Sequence, residues 1–479
     1  MCTSRNKADL QPFFTPRRIA LVGASEQGMY PAGILRNLVD NGFPGSLYPV
    51  NPGRQSVFGL PCYPDLTQTP ERADLAVLTV PRGAVLPVLH QCVEAGVPAA
   101  VVISAGFAEA DEEGRRLQQA IVDFLHNRPL RVVGPNCAGL ANVPARVIAT
   151  RLPVPPLPGS ISLVSQSGAL MMALYGLFYD RGLGLDRLLS VGNQVDVTLA
   201  HGLAHLATAP HTAAIGAFVE GLVNGGAFVA ALQDLLRAGK PLVLVKSGRT
   251  AVGQRAALTH TAALGGSQRV FEAVCRQFGV ISVGDIGQMV NTLQVLAALG
   301  PRMRKAQRLA IITQSGGLGS LSADLAQEVG LDLPPFSNAL QSRIRNLPFM
   351  LPYDRVGNPA DVHGAALVGE NTAKTLAPFL EDDESGAVLL LLAKSSVRRQ
   401  DAETAEAIIS VTRDYEKPLF VVWVGQRRPL EPLAWPAAVD MLVQAGIPVF
   451  SQPSECLRAL GLAMAYGRFR QEWLQVEET

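Results

Sequence analysis

SLVSQSGAL, Ser162 to Leu170, decides how this chain is read. An apolar, β-favouring run stops at Gln166-Ser167-Gly168 and a helical pattern takes over, so a strand passes through a small-residue turn directly into a helix. Nearly the same letters return at IITQSGGLGS, Ile311 to Ser320. A turn of this kind presents the first backbone N–H groups of its helix, and the positive end of the helix dipole, to whatever lies beyond the strand; an anion suits that place. The repeat predicts two similarly folded domains, each opening on the same unit.

Working outward, the first copy is followed by RLLSVGNQVDV, a helix from about Thr198 to Ala209, AAIGAFVEGL, a helix near Phe228 to Ala238, PLVLVKSG and a closing strand near GVISV. After a helix from about Asp285 to Leu299, the second copy leads to strands in GAVLLLLAKS, KPLFVVWVG and IPVFSQP, with Ala360 and Asp361 at a helix start and a last helix from Ser454 to about Glu472. Upstream, RIALVGAS, SLYPVNP, DLAVLTVP, AAVVISAGF and LRVVGPN alternate with helical stretches. Strands alternating with helices imply parallel, doubly wound sheets, whose ligands bind beyond the carboxyl ends of the strands. Small and polar residues gather at those ends: Gly23-Ala24-Ser25, Asn51-Pro52, Val80-Pro81, Ser104 to Gly106 and Gly134 to Asn136 first, then Gly192-Asn193, Glu220 and Lys246. The prolines between Ala145 and Gly159 predict an extended linker. The expected layout is residues 1–144, a linker at 145–159, a second domain at 160–300 and a third at 301–479.

Composition agrees. A length of 479 residues argues for about three domains, and 48% apolar with 17% charged residues suits compact α/β domains. A net charge of +1 gives no bulk attraction to nucleic acid or membrane. The six cysteines are scattered without a CxxC pair, as free thiols of a reducing compartment are. MCTSRNKADLQPFF has no apolar signal core, and no run nears the roughly 20 apolar residues that span a bilayer, so a cytoplasmic protein is expected.

The chemistry centres on KSGRTAVGQRAALTHTAALGGS, Lys246 to Ser267, where His260 stands among small residues in what reads as a movable loop. A neutral imidazole can attack phosphorus if an acceptor holds its other ring nitrogen. Glu220, ending an apolar strand, is a credible acceptor, the alternative being a helix N-cap or a surface residue. The two turns, Ser165-Gln166-Ser167-Gly168 and Gln314-Ser315-Gly316-Gly317, are candidate phosphate cradles. In the first domain GASEQGMYPAG is not the GxGxxG fingerprint, and NPGR lacks the acidic residue that would hold an adenosine ribose, which argues against NAD. Arg54 suits a phosphorylated ribose, or is a plain surface arginine. His201, His205 and His211 have no carboxylate or cysteine at ligand spacing, and no metal site is expected. Cys137 reads as a wall residue rather than an acyl carrier.

FFTPRRIALVGAS, NGFPGSLYPVNP, AVLTVP, VVISAGFAE, GPNCAGL, SLVSQSGAL, SVGNQVDV, VEGL, KSGRT and THTAALGGS, in that order, resemble the NDP-forming acyl-CoA synthetases, the superfamily of succinyl-CoA synthetase. The resemblance runs over nearly the whole chain. It implies an N-terminal Rossmann-like CoA-binding domain, with Gly23, Ser25, Asn51, Pro52, Val80, Pro81, Ser104 and Asn136 around the CoA, followed by two flavodoxin-like ligase CoA domains. It implies His260 as the phosphorylated histidine, Glu220 as the glutamate that steadies it, and the two QSG turns as the phosphate-binding helix starts. The order looks like the alpha subunit of an ADP-forming acetate-CoA ligase. No segment is left for the family's ATP-grasp domain, so Mg with ATP or ADP is expected on a separate beta subunit, with CoA and a small carboxylic acid as substrates. Two letters depart from the pattern: Ala262 replaces a glycine after His-Thr, and Gln314-Ser315-Gly316-Gly317 replaces Asn-Ala-Gly-Gly. The competing expectation is a CoA- or acyl-CoA-sensing regulatory module without turnover.

Overall fold

The computed structural model describes residues 9–260, 267–300, 308–394, 398–425 and 438–477. They form two compact units, residues 1–179 with 184–286, and residues 180–183 with 287–479. In the first unit, strands β1 (Arg18–Val22), β2 (Ser46–Val50), a small hairpin of β3 (Ser56–Val57) and β4 (Leu60–Pro61), β5 (Leu75–Leu78), β6 (Ala99–Val102) and β7 (Arg131–Val133) come first. There follow β8 (Gly139–Asn142), β9 (Val147–Thr150), β10 (Pro158–Ser165), β11 (Leu185–Ser190), β12 (Ala214–Val219), β13 (Leu242–Lys246) and β14 (Ile281–Val283). The second unit holds β15 (Leu309–Thr313), β16 (Ala360–Asp361), β17 (Ala387–Lys394), β18 (Leu419–Gly425) and β19 (Val449–Phe450).

Three sheets share one plan. Their orders are β2-β1-β5-β6-β7, β14-β13-β12-β10-β11 extended by β8-β9, and β16-β15-β17-β18-β19. Counting the five parallel strands of each in chain order, all three read 2-1-3-4-5, the flavodoxin-like doubly wound order. The chain leaves the first strand one way and returns on its other side, so a crevice forms beyond the carboxyl end of that strand. Burial on both faces explains the unbroken apolar strands. Ile19 and Leu21 of β1 pack into a core that continues to Val164 of β10 and Leu189 of β11, while Ala20 and Val22 enter a separate core on the other face. The third sheet has its own core around Leu390, Val421 and Trp423.

Three local expectations differ from the structure. The first part of the expected linker is strand: β9 is antiparallel to β8, which lies before the linker and is itself antiparallel to β11. Val147, Ile148 and Thr150 are β-branched and precede the prolines, which begin at Pro153. Ala360 and Asp361 form a short strand rather than a helix start, Ala360 opposite Ile312 and Asp361 opposite Thr313. Asn358 prepares that pairing with its side chain, accepting from Ile311 N at 3.1 Å and donating to Leu309 O at 2.8 Å. The stretch after Lys246 contains a helix, Ala251–His260, built on good helix formers such as Ala251, Gln254 and Arg255.

Candidate functional site

All eight first-domain residues expected around a ligand stand at the carboxyl ends of β1, β2, β5, β6 and β7, and hydrogen bonds tie most of them together. Gly23 has φ +86°, and a Cβ there would lie 3.1 Å from the carbonyl carbon and oxygen of Thr79. Only glycine lets the turn after β1 pass so close to the next strand. Asn51 donates to Ala24 O at 2.9 Å and accepts from Gly53 N at 3.0 Å, which ties the second turn to the first. Ser25 Oγ accepts from Gln27 N at 3.0 Å and from Arg54 Nη2 at 3.3 Å. Pro52 is exposed beside them. Ser104 Oγ donates to Val80 O at 2.5 Å, Pro81 precedes the helix Arg82–Glu94, and Asn136 N donates to Ser104 O at 2.9 Å.

Asn136, with φ +57°, carries this edge on to the second sheet, its Nδ2 donating to Asn193 Oδ1 at 3.3 Å. Asn193 in turn donates to Glu109 Oε2 at 2.6 Å and Gln118 Oε1 at 2.8 Å. Burial pulls the Glu109 carboxyl upward, but donation by Asn193 and by the N–H groups of Gly106 and Phe107 outweighs it and holds the carboxyl below its usual range. Sequence reading marked Asn193 as a strand end and took in Glu109 only as the last letter of VVISAGFAE, with no role attached, while Gln118 lies outside any strand-end pattern.

The QSG turn after β10 is a wired object. Ser165 Oγ accepts from Ser167 N at 3.1 Å and donates to Ser167 O at 2.8 Å, and Ser167 Oγ caps the helix Gly168–Asp180 by accepting from Leu170 N at 3.3 Å. The N–H groups of Gly168 and Ala169 are left without intrahelical partners, as at any helix start. Gln166 is buried and reaches sideways to the end of β12. Its Nε2 donates to Gly221 O at 2.6 Å, and its Oε1 accepts from Gly221 N at 3.1 Å and from Glu220 N. Gln166 therefore fixes the backbone that carries Glu220. Lys246, at the end of β13, donates to Glu220 O at 3.2 Å and Ser247 O at 2.9 Å and lies 5.6 Å from the Phe271 ring centre. Burial lowers the affinity of Lys246 for its proton and the charge of Glu220 works against that shift. His260 is the last residue of its helix; its side chain, and Ala262, lie outside the described residues.

The turn after β15 repeats the frame but not the surroundings. Ser315 N donates to Thr313 Oγ1 at 3.0 Å, and Ser315 Oγ caps the helix Gly316–Glu328 through Leu318 N at 3.4 Å. Gln314 Nε2 donates to Ala393 O at 2.6 Å, yet its Oε1 has no partner among the described residues. Asp361 Oδ2 sits 2.8 Å from where a Cβ on Gly316 would be, with Gly317 following. At the matching place in the second sheet stands neutral Ser190, whose Oγ accepts from Ala138 N at 2.9 Å. Two turns with the same letters thus differ in charge.

Three of the remaining candidates, His205, His201 and Cys137, have structural partners. His205 stacks on Phe14, with ring centres 4.7 Å apart, and takes a hydrogen bond from Arg187. His201 Nδ1 accepts from Thr198 N at 3.1 Å. Cys137 Sγ donates to Val102 O at 3.3 Å, and burial pushes its thiol up to about 12. Among the described residues no group of three or more His, Cys, Asp and Glu is placed to hold a metal ion, and no helix is long and apolar enough to cross a membrane.

Residues 17–142 match the model of the CoA binding domain, and residues 158–296 that of the succinyl-CoA ligase like flavodoxin domain. The alpha subunit of acetate–CoA ligase [ADP-forming] I of Pyrococcus furiosus is 32% identical over 96% of this chain and 98% of its own length. Acetate–CoA ligase [ADP-forming] I of Archaeoglobus fulgidus is also 32% identical over 96% of this chain, which spans 64% of that longer protein. Among solved structures, the apo form of the dinucleotide forming acetyl-coenzyme A synthetase 1 of Ca. Korarchaeum cryptofilum matches with a TM-score of 0.87 and 30% identity, covering 98% of this chain and 99% of that one. The chain belongs to the NDP-forming acyl-CoA synthetases, acid–thiol ligases of the ADP-forming acetate–CoA ligase type.

Proposed function

We propose that this chain is the CoA-binding, histidine-phosphorylated subunit of such a ligase and works with an ATP-grasp beta subunit that holds Mg and the nucleotide. Acid, CoA and ATP give acyl-CoA, ADP and phosphate, and the reaction runs in either direction. In the acyl-CoA-consuming direction, phosphate attacks the thioester carbonyl and CoA leaves as its thiolate. An imidazole nitrogen of His260 then attacks phosphorus, the carboxylate of the acyl phosphate leaves, and the phosphate passes from His260 to ADP on the partner. In this reading Glu220 accepts a hydrogen bond from the other imidazole nitrogen, and the first N–H groups after Ser167 stabilise the phosphoryl oxygens.

The observation that carries the reading is the clamp of Gln166 on the Glu220–Gly221 backbone. A turn that only connected a strand to a helix would have no need to fix a carboxylate-bearing residue on the next strand but one. CoA is assigned to Gly23, Ser25, Asn51, Pro52, Val80, Pro81, Ser104 and Asn136. The close pass of Gly23 over Thr79 leaves a cradle that a Cβ would fill, and Arg54, bonded to Ser25, suits a phosphorylated ribose. The sense of "alpha subunit" in the name of the Pyrococcus furiosus relative supports a partner.

The test is phosphoryl transfer. The chain is incubated with γ-labelled ATP, Mg and an ATP-grasp subunit, and an acid-labile, base-stable label is mapped in wild type and His260→Ala. Label in wild type alone is expected. No label beside tight CoA binding would favour the sensing module.

A further inference from the structure

The hydrogen bonds around Asn193 fix which way round its amide lies. Glu109 Oε1 is occupied by the N–H groups of Gly106 at 2.7 Å and Phe107 at 3.1 Å, and its Oε2 takes Asn193 Nδ2 at 2.6 Å. The other Nδ2 hydrogen goes to Gln118 Oε1 at 2.8 Å. A carboxylate only accepts, so Asn193 must turn its nitrogen to Glu109 and its oxygen the other way. There Asn193 Oδ1 meets Asn136 Nδ2 at 3.3 Å. Asn136 therefore spends its nitrogen on Asn193 and keeps Oδ1 on its other side. The charge of Glu109 sets the polarity of an amide that it does not touch.

The backbone holds Asn136 in place for this. Its N donates to Ser104 O at 2.9 Å, and Asn193 N donates to the neighbouring Pro135 O at 2.9 Å. The turn runs on to Ala138, whose Cβ lies 3.2 Å from where a Cβ on Gly168 would be. Asn136 thus stands two residues from the start of the helix that follows the first QSG turn, on the side where the reacting end of a bound CoA belongs. The strong donors at that end of CoA are the amide N–H groups of its pantetheine arm. We propose, resting on the assignment of CoA to Asn136, that Glu109 and Asn193 are positioning residues that turn the Asn136 amide so that its Oδ1 accepts a pantetheine N–H.

Calorimetry on the full chain decides it, with CoA and with 3′-phospho-ADP, which is CoA without the pantetheine arm. Glu109→Gln keeps an oxygen for Gly106 N and Phe107 N and so turns a donor towards Asn193. Asn193 then flips, Asn136 follows, and a donor faces the donor of the arm. CoA binds about tenfold more weakly to this variant, while 3′-phospho-ADP binds as it does to wild type. Adding Asn193→Asp puts an acceptor on both sides of position 193, so Asn136 turns back and CoA affinity returns to within about twofold of wild type. Unchanged CoA binding in Glu109→Gln, equal weakening of both ligands, or a double variant no tighter than the single one overturns the proposal. Asn193→Leu, which releases Asn136, gives the same selective loss and decides the matter if Glu109→Gln fails to fold. Absence of CoA binding in the wild type, or wild-type affinity in Asn136→Leu, instead overturns the assignment of CoA to Asn136, and the proposal with it.

Discussion

Replacing Gln166 by alanine removes three hydrogen bonds at once: the donation to Gly221 O and the two acceptances from the N–H groups of Glu220 and Gly221. A net contribution of about 1 kcal/mol each gives about 3 kcal/mol, with the upper end set by how far water enters to satisfy the abandoned backbone groups. The residue that suffers is Glu220, whose backbone loses its lateral support while its side chain stays in place chemically. Gln166→Ala is therefore expected to lower the urea midpoint of the first unit by an amount worth about 3 kcal/mol, and to slow phosphorylation of the chain more than Ser167→Ala, which removes only a cap worth about 1 kcal/mol. Gln166→Glu is the sharper variant, because it keeps an acceptor for both N–H groups but turns the donor at Gly221 O into a repelling oxygen. Unfolding curves and the rate of acid-labile labelling are measured side by side. Wild-type stability and wild-type labelling in both variants would refute the view that Gln166 positions Glu220.

Three further outcomes are expected. Gly23→Ala forces a side chain into φ +86° and to within 3.1 Å of the Thr79 backbone, costing about 1–2 kcal/mol and weakening CoA binding at least tenfold by calorimetry, whereas Gly83→Ala, with open space around it, changes neither. Burial, reinforced by the charges of Arg187 and Lys240, lowers the pKa of His205 from 6.5 to about 4, with Asp9 opposing. The unfolded chain thus takes up this proton first, so stability is full above about pH 6.5 and falls by about 3 kcal/mol as pH drops towards 4; His205→Phe, which can still stack on Phe14, should flatten that part of the stability–pH curve. Asp361→Asn removes the carboxylate from the start of the helix Gly316–Glu328 and should raise phosphate affinity about two- to fivefold in the second unit, read by calorimetry; an unchanged or lowered affinity would mean that Asp361 does not oppose anions there.

Much of the fold was legible because parallel strands buried on both faces need long apolar runs, and the turns that end them need small or polar residues. RIALVGAS, LVSQSGAL and IITQSGGL carry both signals, and each proves to be the first strand of a sheet with the same 2-1-3-4-5 order. Short strands were harder. β16 has two residues, and the side chain of Asn358 rather than any periodicity sets its pairing with β15. β9 was hidden by the prolines that follow it, which dominated the reading of the whole segment.

The candidate site divides along the same line. Sequence alone singled out the residues proposed to carry the chemistry, namely the lone His260 among small residues, Glu220 at a strand end and the repeated QSG turns, because those residue types and their neighbours are local properties. It also determined the family, through the order of motifs along the chain. Only the tertiary structure decided what the turns do. Gln166 spans from β10 to β12, 54 residues away, to hold Glu220, and Asn136 reaches Asn193 to join the first sheet to the second. Only the third dimension sets Asp361 against Gly316, so that one of two turns with the same letters carries a negative charge at its mouth. The physical reason is that strand pairing brings distant residues side by side at the edge of a sheet, and a local pattern records which residues end a strand but not which strand lies beside it.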